Sequence, residues 1–277
     1  MEIIKALWVR NIKIFLRNKP SLIFQLIMPF FFIFVFGNVF GTANLYNAIS
    51  AMLAGIIAAT MFDSSFRVSS STIDDMLGGF MKEVLVSPIP RYKIAIGQFI
   101  SSATIAAIQG TMILIAGFLI GFRVSTPLTL IFSFFGMIFI GLVFSGFGLA
   151  VAAKSNNMQT FQAITMALTM PMTFISGAYI PISGLPRILQ WVSYFNPVTY
   201  AVNFFRIITL EQVGTPTENL IGFGLGVEFL GIQIGFLGSF LILIVFGVLF
   251  TIFSTIVFTK MDFSKINRKS GTFGMFG

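Results

Sequence analysis

Cysteine and histidine are both absent from this 277-residue chain, and only 9% of its residues carry a charged side chain. Without thiol or imidazole, the usual zinc sites, thiol nucleophiles and the commonest acid–base residue are all missing, so neither metal nor covalent chemistry is expected. The scarcity of charge excludes something larger. A soluble domain of this length needs a polar coat, and a composition that is 56% hydrophobic and 16% aromatic cannot supply one. The mean hydropathy of +0.96 therefore points to lipid as the solvent. The net charge of +8 reads as cytoplasmic flanks facing anionic lipid. Nucleic acid is not expected as a partner, because no soluble domain is available to bind it.

What is present is a series of long apolar runs. A membrane-crossing helix needs roughly 20 mostly apolar residues, and six segments qualify: about 21–40, 46–62, 94–121, 128–152, 158–180 and 232–258. A cleaved signal peptide is the rival reading of the first, but that run is too long and lacks an Ala-x-Ala site. Lys5, Arg10, Lys13, Arg17 and Lys19 precede the first run, and Lys260, Lys265, Arg268 and Lys269 follow the last. By the positive-inside rule both ends are expected in the cytoplasm. Arg67, Lys82, Arg91, Lys93 and Lys154 then also fall inside, which leaves Arg123, Arg187 and Arg206 outside. No ionisable residue lies in the central part of any of these six spans, which disfavours an ion-coupled carrier. The neutral polar residues Gln98, Gln109, Gln159, Gln162, Thr165, Thr169 and Thr173 do enter them, and hydrogen bonding between helices accounts for these as well as substrate contact does. A stripe of Ala51, Ala54, Gly55, Ala58 and Ala59 reads as close helix packing.

Three segments are not spans. Residues 1–19 place Ile3, Ile4, Leu7, Trp8, Ile14 and Phe15 on one helical face and Lys5, Arg10, Lys13 and Arg17 on the other, as expected of a helix lying in a headgroup layer. Asn11 on the apolar side and Leu16 on the basic side spoil the pattern. Between the second and third spans, Ile73, Met76, Leu77, Phe80, Met81, Val84 and Leu85 recur at helical spacing, with Asp74, Asp75, Lys82 and Glu83 off that face. Pro88 and Pro90 stop this helix. It reads either as a rod transmitting force from a docked soluble protein or as an ordinary amphipathic loop. The third segment, 175–210, holds two apolar pieces broken at Asn196-Pro197, each too short to cross a bilayer. A re-entrant helical hairpin on the outer side fits best. Pro186 suits a helix start there, with Ser183 as an upstream cap, while Trp191, Tyr194 and Tyr200 suit an interface. Residues 209–231 read as an outer loop with an interfacial lead-in.

Two motifs, Gly79-Phe80 with Lys82-Glu83, Ser87-Pro88 and Gly97, then Ser176-Gly177 with Pro181, Leu185-Pro186 and Asn196-Pro197, resemble those of the permease subunits of type-2 ATP-binding-cassette exporters. The closest likeness is to their daunorubicin-resistance branch, and it covers nearly the whole chain. The resemblance implies an all-α membrane protein of six transmembrane helices, with an interfacial first helix, a cytoplasmic coupling helix over 67–90 and an extracellular re-entrant hairpin over 181–208. It implies coupling to a separate ATPase through Asp74, Asp75, Gly79, Phe80, Lys82, Glu83 and Pro88. It further implies a translocation path near Ala54, Ala58, Gln162, Thr165, Thr169 and Thr173, and a hairpin built on Pro186, Trp191, Asn196 and Pro197. Two permeases and two ATPases would assemble in the cell membrane, with ATP and Mg held by the ATPases and none bound by this chain. Relatives often carry an acidic residue two positions before the coupling glycine, where this chain has Leu77. No GxxxxGK[ST] phosphate loop occurs, so the chain is expected not to hydrolyse ATP itself. Cargo is expected to be hydrophobic or amphipathic, drug-like or lipid-like, with lipid-linked glycan as the alternative.

Overall fold

The computed structural model describes residues 2–40, 45–77, 91–119, 121–124, 126–155, 157–222, 226–229 and 231–259. Its helices are α1 (Glu2–Arg17), α2 (Lys19–Phe40), α3 (Leu45–Leu77), α4 (Arg91–Leu119), α5 (Pro127–Lys154), α6 (Met158–Ile175), α7 (Arg187–Tyr194), α8 (Pro197–Thr209), α9 (Thr217–Gly222) and α10 (Phe236–Thr259). Among the described residues four stretches are long and apolar enough to cross a membrane: Ser50–Asp75, Tyr92–Leu119, Pro127–Lys154 and Phe236–Val257. The first is 78% buried and the last 11% buried, so α3 runs through the middle of the bundle and α10 along its outside.

Helix α5 is the hub, and its glycines explain why. A Cβ on Gly141 would lie 2.8 Å from the Ala103 Cα of α4, one on Gly146 2.8 Å from the Phe250 carbonyl carbon of α10, and one on Gly148 2.7 Å from the Ser65 carbonyl oxygen of α3. Three neighbours thus touch α5 backbone to backbone, a packing mode that suits helices without a hydrophobic drive to associate. Around these crossings Phe62, Phe66, Phe144 and Phe147 form an aromatic cluster joined to Phe250.

Helix α3 corrects the expectation that the second span ends at residue 62. It continues without a break to Leu77. The polar run that suggested an end is accommodated within the helix, because the hydroxyls of Ser64, Ser65 and Ser69 each donate to the carbonyl four residues back. All three are buried and add little bulk, so α5 can pack on them. Asp63 lies half-way along the Ser50–Asp75 stretch, so an ionisable residue falls in the middle of a helix long and apolar enough to cross a membrane.

The first helix packs along α4. Trp8 Nε1 donates to Thr104 Oγ1 at 3.0 Å, and Leu7 sits against Gly97, where a Cβ would meet it at 3.2 Å. Asn11, the misfit of the apolar face, is buried and donates to Gln98 Oε1 at 2.9 Å.

Within 209–231 the described residues are not all loop. They contain α9 and a strand, Val227–Phe229, that pairs antiparallel with Ile232–Ile234. The last apolar helix consequently starts at Phe236 rather than 232. Glu211, in the left-handed region at φ 58°, ends α8 and accepts from Thr126 N and Thr129 Oγ1, both at 2.9 Å, tying this connection to the start of α5.

Candidate functional site

The two apolar pieces around Asn196-Pro197 form α7 and α8, as a helical hairpin requires. Asn196 caps α8 by accepting from Val198 N at 3.0 Å, and its amide donates to Met172 O at 2.6 Å, fixing the hairpin to α6. Pro197 occupies the first turn of α8, where its missing N–H costs nothing. Pro186 stands at the N-cap of α7 without a side-chain hydrogen bond, so Ser183 is not its cap. Trp191 is exposed, and its ring packs on Tyr194 and on Phe229 of the strand pair.

Every residue of α8 is buried, including Arg206. Its Nε donates to Ala51 O at 2.9 Å, and its Nη2 donates to Gly177 O at 3.0 Å. Gly55 makes the room, since a Cβ there would meet Arg206 Nη2 at 2.7 Å and Ala178 O at 2.8 Å. Part of the small-residue stripe therefore admits a guanidinium that closes the free carbonyls of the turn after α6. Such buried backbone groups need partners, and the sequence signal for this was a lone arginine in an otherwise apolar helix.

The expected path residues divide. Ala54 and Ala58 are fully buried inside the protomer, and Thr169 and Thr173 are buried on the inner side of α6. Thr165 is half-buried and Gln162 exposed. Gln162 shares its outer face with the exposed Met166 and Met170. Thr169 instead faces α3, within hydrogen-bonding reach of Asp63.

Asp63 lines a cleft of about 310 Å³ between α2, α3 and α4, together with Gln25, Phe24, Met28, Thr60, Gln109 and Tyr179. Arg67 stands one turn further along α3 and is exposed at the rim. This polar group went unread because hydropathy alone had closed the span one residue early.

Of the expected coupling residues, Asp74 is exposed near the end of α3, and Asp75 forms an ion pair with Arg10 of α1. Gly79, Phe80, Lys82, Glu83 and Pro88 lie outside the described residues. The Arg10–Asp75 pair and the Asn11–Gln98 bond join α1 to both helices that flank residues 78–90. The described residues hold no group of three or more acidic side chains that could bind a metal.

These features define a multi-pass helical membrane protein with a surface helix locked to its core and a helical hairpin whose second helix is buried. The chain belongs to the ABC-2 type transporter family, whose sequence model matches residues 2–210. It is similar to the putative transport permease ycf38 of Cyanophora paradoxa, 27% identical over 90% of this chain and 87% of that one. The inner membrane transport permease YadH of Escherichia coli is 22% identical over 73% of this chain and 81% of its own length. The probable multidrug ABC transporter permease YbhR of Escherichia coli is 26% identical over a shorter stretch, 48% of this chain and 36% of that one. The chain is thus the transmembrane, permease subunit of an ABC transporter, working with a separate ATP-binding subunit.

Proposed function

We propose that the chain moves hydrophobic or amphipathic molecules, drug-like or lipid-like, outward across the cell membrane, driven by a companion ATPase. Two permeases and two ATPases assemble, with ATP and Mg on the ATPases and both permease termini in the cytoplasm. Cargo crosses at the permease dimer interface by alternating access, as closure of the ATPases moves the coupling segments and reopens the path outward. The names of YbhR and YadH support a drug-like cargo and an inner-membrane location.

The observation that carries this reading is the ion pair of Arg10 with Asp75, set beside the Asn11–Gln98 hydrogen bond. It binds α1 to the end of α3 and to α4, so a push on the chain between Leu77 and Arg91 reaches three helices together. The test is co-purification of the cognate ATPase with the permease, and cargo-stimulated ATP hydrolysis by the reconstituted pair. Substituting Phe80, Glu83 or Pro88 should abolish both while leaving the permease folded. Transport by the permease alone down an ion gradient would overturn the assignment.

A further inference from the structure

The cleft beside Asp63 has a composition that packing alone does not require. Three of its lining groups, Gln25 Oε1, Thr60 Oγ1 and the Asp63 carboxylate, accept, beside donors on Gln109, Ser21, Tyr179 and Arg67. Gln25 is 9% exposed; its amide nitrogen donates to Ser21 Oγ at 2.6 Å, which leaves Oε1 buried without a partner. Thr60 already spends its proton on Ile57 O at 2.7 Å, so its oxygen can only accept. Asp63 adds a carboxylate, placed where an ionisable group is costly and marks a functional site by default. Arg67 is the cation whose charge acts on it, from an exposed place at the rim. The Tyr179 ring, tilted at 43° against Phe32 with ring centroids 4.6 Å apart, gives an aromatic wall of the kind that favours cations. Phe24 and Met28, 67% and 54% exposed, form the apolar lip on α2.

We propose that this cleft binds a primary ammonium group carried on an apolar tail, with Asp63 and Gln25 Oε1 accepting its N–H donors and the tail lying over Phe24 and Met28. An ammonium has three donors and no acceptor, which matches the acceptors Asp63, Gln25 Oε1 and Thr60 Oγ1. The amine can belong to a lipid headgroup or to a small amphiphile. As a place where cargo is received the cleft rests on the exporter reading; as a binding site it does not.

The test is saturable binding of radiolabelled dodecylamine to the full-length chain in phosphatidylcholine nanodiscs. Dodecylamine should bind, and dodecanol of equal tail length should not compete. Asp63→Asn should weaken binding about tenfold or more, and Gln25→Met about fivefold, as expected for lost charged and neutral acceptors. Glu218→Gln, at an exposed position of α9, should leave binding unchanged. Should Asp63→Asn fail to fold, Gln25→Met decides. Displacement by added phosphatidylethanolamine identifies a lipid headgroup as the occupant, and its absence identifies a free amphiphile. Equal competition by dodecanol, or wild-type affinity in Gln25→Met, would overturn the proposal. Co-purification of the ATPase, read on the same samples, separates this failure from that of the exporter reading: its loss would leave the amine site standing.

Discussion

Arg206 ties α8 to two other parts of the chain. It donates to carbonyls of both α3 and the turn after α6, so truncation leaves buried acceptors unpaired, at about 1–3 kcal/mol for each. Arg206→Met should lower the thermal unfolding temperature of the purified permease markedly. Arg206→Lys should recover only part of that loss, because a point-charge ammonium cannot span two carbonyl sites as the planar fork does. Equal stability of Arg206→Met and wild type would contradict this role. Asn196-Pro197 makes the hairpin legible in the sequence, but positive-inside counting gives only the side on which Arg206 falls and not its burial. Its burial depends on Gly55 and on a turn more than 100 residues away, contacts that no local pattern contains.

At the scale of helices, the glycines of α5 set how closely α3, α4 and α10 approach. Gly148→Leu should abolish recovery of folded protein, because its new side chain meets the Ser65 carbonyl and backbone cannot yield cheaply. Gly184→Ala is the matching control. Its Cβ would sit an ordinary 3.5 Å from Ile180, and stability should change by less than about 0.5 kcal/mol by size-exclusion and thermal unfolding assays. The amphipathic first helix was legible from its periodicity, and its one flaw, Asn11, proves to be the residue that pins it to Gln98. The length of α3 was less legible. Asp63, Ser64, Ser65 and Arg67 resemble a membrane exit by hydropathy, whereas serine back-bonding and the glycine-lined face of α5 let the helix run on. Asp63 was hidden for the same reason. Charge reversal tests how α1 joins α3: Arg10→Asp and Asp75→Arg should each reduce coupled ATP hydrolysis, and together should restore much of it.

At the scale of the whole molecule, a surface helix, a long central helix and α4 share one end of the bundle, and the buried α8 lies toward the opposite end of α3. This polarity allows a motor on one face to alter helices that run to the other. Coupling to a cytoplasmic ATPase requires the end of α3 to lie on the cytoplasmic face. The absence of native cysteine makes this directly measurable. Asp74→Cys, at an exposed position, should react with a membrane-impermeant maleimide only in inside-out vesicles, and binding of the ATPase should protect it. Labelling of Asp74→Cys in intact cells from the outer side would place the coupling end away from any cytoplasmic ATPase and contradict the account.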